Sequence, residues 1–269
     1  MMRANYHTHT YRCRHAGQWQ DAEYAAAALA GGYQVLGFSD HTPWPYHSGY
    51  VSGDERIPMD ALEDYFDSIT ALRRQYRGRL TMYVGLECEY FPDYMDWLRE
   101  LHARTDYLIL GNHFYKTDEF GAPYFGVTTT AADIRRYLDM TLAGMQTGLY
   151  RYLAHPELPV ACYPAFDEVC LDLSRQICRA AKALGLPLEY NLMGMAKRAR
   201  GYYTDTVGYP APEFWRIAAE EGCTAIIGVD AHRPVMLSDT AAFWAAREFI
   251  HSLGMPLLEQ LPGLGAEET

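Results

Sequence analysis

Residues 3–9 read Arg3-Ala4-Asn5-Tyr6-His7-Thr8-His9, and residues 224–232 read Thr224-Ala225-Ile226-Ile227-Gly228-Val229-Asp230-Ala231-His232. Each is a short β-rich run that ends in potential metal ligands spaced i, i+2. On a strand, side chains two apart share a face, so His7 with His9, and Asp230 with His232, each aim two ligands the same way. Similar runs lie between them at 34–40, 80–88, 106–113, 149–155 and 186–191. Their short length and their β-branched and aromatic content favour strand over helix. Helical patterns alternate with them at 20–31, 59–77, 130–146, 167–184, 211–222 and 239–253, with Gly31-Gly32, Gly185 and Gly254 as stops. Strand–helix alternation implies parallel strands joined by crossover helices. Seven such units predict an α/β fold closed into a TIM-like (β/α)7 barrel. One domain over 1–269 is expected, with 262–269 as a loose tail. The first and last strands of a barrel are neighbours, so the two ligand pairs would sit together.

The 269-residue chain is 49% hydrophobic and 21% charged, a mix that can bury a large core. No apolar run approaches the roughly 20 residues that cross a bilayer. Met1 to His7 lacks an apolar signal-peptide core, so the expected location is cytoplasmic. Six cysteines without a C-x-x-C pair read as reduced thiols. The net charge of -11 disfavours long nucleic acid as a partner. It does not disfavour a small anionic substrate, because bound metals invert the local field.

Of ten histidines, His7, His9, His41, His113 and His155 fall at or just past the C-terminal end of a predicted strand, and His232 follows the seventh by two residues. Glu87 lies near the end of the third strand and Asp230 ends the seventh. In parallel barrels these ends meet at one face, where active sites are found. Imidazole with carboxylate suits zinc, iron or manganese. Several histidines around a bridging carboxylate suit a multinuclear site. A lone H-x-H is a weak signal, since a single histidine is as often a hydrogen-bonded core residue. That reading does not explain so many on strand ends.

In order along residues 5–232, several motifs resemble the polymerase-and-histidinol-phosphatase (PHP) superfamily. They are His7-Thr8-His9, Cys13-Arg14-His15-Ala16, Ser39-Asp40-His41, Gly85-Leu86-Glu87, Gly111-Asn112-His113, Ala154-His155-Pro156-Glu157 and Gly228-Val229-Asp230-Ala231-His232. Within it, the chain is most similar to monofunctional histidinol-phosphate phosphatases. The opening Tyr6 to Tyr11, the stretch Gly85 to Pro92, and Glu189-Tyr190-Asn191 followed by a basic loop and Tyr209-Pro210 carry that likeness. The resemblance implies a distorted seven-stranded barrel and three divalent ions, whether zinc, manganese or iron. By it, His7, His9, Glu87 and Asp230 would hold one ion. Glu87 would bridge to a second, completed by His113 and His155, and His15, His41 and His232 would hold the third. Glu89 shares a strand face with Glu87, but Glu87 directly follows the Gly-Leu of the motif and is preferred.

The implied activity is metal-dependent hydrolysis of a small phosphorylated substrate. L-Histidinol phosphate of histidine biosynthesis comes first, and a nucleotide, phosphosugar or phosphotyrosine second. A hydroxide bridging two metals would attack phosphorus in line. Neither a C-x5-R nor a D-x-D-x-[TV] signature for a covalent phosphoenzyme is present. Metal-dependent amidohydrolases also begin with H-x-H and end with an aspartate, but they leave His15, Asp40-His41 and Asp230-x-His232 unexplained. A degenerate, non-catalytic module would show an incomplete ligand set, and this set is complete.

Asp40 is the catalytic candidate. It would either orient a ligand histidine or help protonate the leaving alkoxide. Arg198 and Arg200, beside Lys197 in the basic loop after the sixth strand, lead as a phosphate clamp, with a solvated charge run as the alternative. Arg12, Arg14 and Arg56 leave the same face. His102 and His251 are expected on helix surfaces and His47 exposed in the aromatic loop 43–56. Trp44, Tyr46 and Tyr50 of that loop would either wall the pocket or pack for stability.

Overall fold

The computed structural model describes residues 3–53 and 55–264. Strands β1 (Ala4–Asn5), β2 (Val35–His41), β3 (Thr81–Cys88) and β4 (Tyr107–Leu110) form one sheet in that order, and β5 (Leu188–Asn191) and β6 (Ala225–Gly228) a second. Every pairing is parallel. The result is an α/β fold around a curled parallel sheet.

Six strands are therefore found among the described residues, not the seven expected. The stretch 149–155 is not a strand. It contributes single parallel bridges from Leu153 to Leu110 on one side and to Leu188 on the other. Another bridge joins Thr8 to Ala231. The expected first strand, 3–9, also stops early. Asn5 interrupts it by taking His7 N (3.3 Å) and donating to His7 O (3.0 Å) and Thr8 Oγ1 (2.8 Å).

Nine α-helices are found among the described residues; six match the expected spans closely, and those at 95–104, 192–199 and 235–238 lie outside them. The nine are α1 (Asp21–Ala30), α2 (Leu62–Gln75), α3 (Met95–Arg104), α4 (Ala131–Gln146), α5 (Glu168–Leu184), α6 (Leu192–Ala199), α7 (Pro212–Glu220), α8 (Val235–Ser238) and α9 (Ala241–Ser252). Asp167 caps α5 by accepting from Val169 N and Cys170 N, and Gly185 ends it in the left-handed region at φ 65°. The basic stretch expected as a loop is instead α6. Asn191 ends β5 and caps this helix, its side chain accepting from Gly194 N at 2.9 Å.

Strand alternation divides the interior. On β3, Met82, Val84, Leu86 and Cys88 pack outward into the large core shared with the helices. Tyr83, Gly85 and Glu87 face inward. Tyr6, Val35, Tyr83, Tyr107, Ile109, Tyr152 and Ile226 form the inner core, and Leu261 and Leu264 close it. Of the tail expected loose from 262, Leu264 is thus packed, and 265–269 lie outside the described residues. Tyr107 fills the centre, with its hydroxyl 2.7 Å from Tyr6 O and 3.0 Å from Phe38 O. A Cβ on Gly37 would stand 2.3 Å from that hydroxyl, and one on Gly85 2.5 Å from the ring. This dry floor leaves the inward positions one turn of the pleat higher for polar side chains.

Candidate metal centre

Those positions bring the predicted ligands together. Glu87 lies at the centre, 1% exposed. His155 Nε2 stands 2.8 Å from Glu87 Oε1 and His113 Nε2 3.5 Å from it. His41 Nδ1 stands 3.2 Å from Glu87 Oε2 and His7 Nε2 3.3 Å from it. Asp230 Oδ1 faces His9 Nε2 at 3.1 Å, His232 Nδ1 at 3.3 Å and His7 Nε2 at 3.5 Å. His15 reaches the cluster through His232, their Nε2 atoms 3.0 Å apart. Nitrogens of His9, His41 and His232 lie within 4.8 Å of one another, as do ligand atoms of His7, His9 and Asp230, of His7, Glu87 and His155, and of His41, Glu87 and His113. All nine sequence-predicted positions are therefore in one cluster.

Backbone geometry makes room for it. A Cβ on Gly111 would meet Glu87 Oε1 at 2.1 Å, and one on Gly228 would meet Glu189 Oε1 at 1.7 Å. Only glycine lets those carboxylates lie flat against the neighbouring strand. His155 and Asp230 adopt positive φ, 29° and 53°, which is uncommon for residues other than glycine. Strained backbone of this sort clusters at functional sites.

A ring of acids stands behind the histidines. Glu189 Oε1 lies 2.8 Å from His7 Nδ1, Asp40 Oδ1 3.3 Å from His9 Nδ1, and Glu89 Oε1 3.1 Å from His113 Nδ1. Each holds one ring nitrogen and leaves the other facing inward. His7 Nε2, His9 Nε2 and Asp230 Oδ1 are buried without a hydrogen-bond partner. Unsatisfied buried polar atoms are costly unless a ligand meets them. Inward imidazole nitrogens beside carboxylate oxygens are the donor set of zinc, manganese or iron. The residues fit divalent metal.

Charge follows the same plan. Burial opposes ionisation of His7, but Glu189, Asp230 and Glu87 outweigh it and raise its pKa well above the usual value. Burial likewise opposes ionisation of Glu87, and His7, His113 and His41 hold it well below the usual range. Burial, with His9 and His15 nearby, pushes His232 down to about 3, so it offers a lone pair at neutral pH.

The cluster opens on a cavity of about 740 Å³. Lys197, Arg200 and Arg233 line it with Glu55, and Trp19, Phe114, Tyr124, Leu158, Met193 and Tyr209 supply the apolar wall. Arg200 is therefore where a phosphate clamp was expected, but Arg198 is not. Its Nη2 donates to Val207 O (2.7 Å) and Pro210 O (3.1 Å), so it braces a loop and does not line the cavity. Asp40 does not line it either. Its oxygens accept from Thr10 N (3.1 Å), Thr10 Oγ1 and His41 N (2.9 Å) as well as facing His9. Trp44 is buried against Phe91 and donates to Glu89 Oε2 at 3.2 Å, and His47 lies against Tyr94. Arg12 is taken up by Asp21 and Asp64.

Glu189 holds more than His7. Its side chain also takes His155 N (3.1 Å) and Asn191 Nδ2 (3.0 Å), and Asn191 Nδ2 reaches Asp230 Oδ2 at 3.1 Å. The i, i+2 rule applied to His7 and His9 would have found Glu189 and Asn191 on β5.

The PHP domain model matches residues 5–192. This chain belongs to the PHP domain family. Among its relatives, a Deinococcus radiodurans protein provisionally named a histidinol-phosphatase is 29% identical over 239 residues, 85% of each chain. The histidinol-phosphatase of Bacillus subtilis is 31% identical over 124 residues, 44% of this chain and 46% of that one. The Lactococcus lactis histidinol phosphate phosphatase HisK, solved with zinc, L-histidinol and phosphate, superposes with a TM-score of 0.71 at 18% identity and covers 99% of both chains. That structure supports the fold. No helix among the described residues is long and apolar enough to cross a membrane.

Proposed function

We propose that this PHP-family chain hydrolyses L-histidinol phosphate to L-histidinol and phosphate. The observation that carries this reading is the cluster of imidazole and carboxylate atoms, several without partners, opening on a cavity edged by Lys197, Arg200 and Arg233. The names of the relatives select the ester. Three divalent ions complete the reading: one on His7, His9, Glu87 and Asp230, a second on Glu87, His113 and His155, and a third on His15, His41 and His232. When bound, such ions supply an ionised water near neutral pH and offset charge on the phosphoryl oxygens.

The chain's own residues do the rest. Lys197, Arg200 and Arg233 take the outer phosphate oxygens. The aromatic wall of Trp19, Tyr124 and Tyr209 takes the substrate's imidazole. Glu55, which makes no ion pair among the described residues, meets its ammonium. Asp40 positions His9 and does not touch substrate, which favours the orienting role over proton donation. We also read the sheet as a distorted seven-stranded barrel, with Leu153 standing for its fifth strand and the Thr8–Ala231 bridge closing it. A cytoplasmic setting fits a biosynthetic enzyme.

The test is phosphate release from histidinol phosphate, a nucleoside monophosphate, a nucleoside 3′,5′-bisphosphate, a phosphosugar and phosphotyrosine, using protein reconstituted separately with manganese, zinc and iron. Histidinol phosphate is expected to lead by orders of magnitude in kcat/KM, with the rate abolished by chelator. Another ester in the lead would overturn the substrate. No turnover with metal bound would overturn the phosphatase.

A further inference from the structure

Arg56 sits at the edge of the cavity yet is 3% exposed, and its guanidinium is spent on protein partners. Nη2 donates to Glu89 Oε1 at 2.7 Å and Nη1 to Glu89 Oε2 at 2.9 Å, a two-pronged bond. Nε donates to Asp118 Oδ2 at 2.5 Å, and Nη1 also approaches Thr42 O at 3.3 Å. Glu89 Oε1 is the same atom that faces His113 Nδ1 at 3.1 Å. The chain of contacts therefore runs from Asp118 through Arg56 and Glu89 to a histidine of the centre.

Glu89 needs such an anchor. It lies two residues beyond Glu87, just past the end of β3, and is as deeply buried. Unanchored, it could turn toward the same cluster and compete with Glu87. A planar guanidinium meets a carboxylate in two parallel bonds and fixes its plane, which a lysine ammonium does not. With its plane fixed, Glu89 presents one oxygen to His113 Nδ1, and His113 Nε2 is left facing Glu87.

We propose that Arg56 is a positioning residue for the metal centre. Through Glu89 it fixes the ring and tautomer of His113, and it keeps Glu89 from acting as a ligand. Through Asp118 it ties the loop 43–56 and the loop 114–124 to that corner of the site. This inference rests on the reading of the cluster as a metal centre.

Full-length Arg56→Gln and Arg56→Lys test it. Zinc binding to apo protein is titrated against a chromophoric chelator, and histidine tautomers are read by long-range 1H–15N NMR. Wild type is expected to carry the His113 proton on Nδ1. Arg56→Gln is expected to lose that single tautomer and to weaken one zinc site about 10–100-fold while the others keep their affinity. Arg56→Lys should show a smaller loss at the same site, and kcat should fall in both with little change in KM. Folded Arg56→Gln with wild-type zinc affinity and an unchanged His113 tautomer overturns the proposal. If Arg56→Gln does not fold, Arg56→Lys and Asp118→Asn decide by the same readouts, and wild-type behaviour in both overturns it. Wild-type protein that binds no zinc refutes the metal reading itself, and this inference with it.

Discussion

The residues that offer inward ligand atoms and those that hold them differ in how plainly the sequence declares them. His7, His9 and Asp230 stand out because spacing and strand ends mark them. Their supports do not. Glu189 on β5 and Glu89 just past the end of β3 are ordinary acids until the fold sets them behind His7 and His113. Arg198 looked like an anion clamp because charge is legible in a sequence and direction is not. Its partners, Val207 O and Pro210 O, lie on a loop whose path only the fold defines. Asp40 shows the same limit, since its place in the chain beside His41 is compatible with orienting a histidine or with reaching the leaving group. Its burial and its bonds to Thr10 and His41 N carry the proposal that it orients His9. Asp40→Asn is therefore expected to lower kcat and the affinity for zinc together, about 10–100-fold each. Steady-state kinetics and chelator competition check this. Full zinc affinity with a collapsed alkaline limb of the pH profile would instead make Asp40 a proton donor.

At the level of elements, periodicity located the helices to within a few residues because their apolar faces are long. It was weaker for strands buried on both faces. The stretch 149–155 has the composition of a strand, but only Leu153 pairs, since Arg151 N and Ala154 N bond to Leu108 O and Leu110 O across an irregular path. The helix α6 was hidden because its charges suggested a loop, while its Asn191 cap was already in view. The glycines before the acids carry a sharper expectation. In Gly228→Ala the new Cβ would displace Glu189 from His7 and from His155 N, which it holds at 2.8 and 3.1 Å. Denaturant unfolding should show a loss of about 1–3 kcal/mol, and zinc titration a damaged site. Gly53→Ala, where a Cβ meets nothing within 4 Å, should change neither.

Over the whole molecule, the plan is a dry tyrosine floor with a polar centre above it, both built from the inward positions of the same parallel strands. Tyr83, Gly85 and Glu87 on one strand show the passage from packing to chemistry within five residues. The centre joins residues from His7 to His232, so metal bound there links nearly the full length of the chain. Ligand that binds only the folded state stabilises it by about 2.7 kcal/mol at one hundred times its dissociation constant. Removing metal by chelation should thus lower the melting temperature by about 5–10 °C, reversibly on adding zinc. An unchanged melt with measured metal loss would show that the centre is not linked to folding.

The central claim is that these nine residues form one metal centre. Anomalous diffraction from zinc-loaded crystals tests it most directly. The account predicts three peaks, each about 2.0–2.2 Å from its ligand atoms, one bounded by His7, His9, Glu87 and Asp230, one by Glu87, His113 and His155, and one by His15, His41 and His232. Zinc found only at surface histidines, with the cluster free of anomalous density, would contradict it.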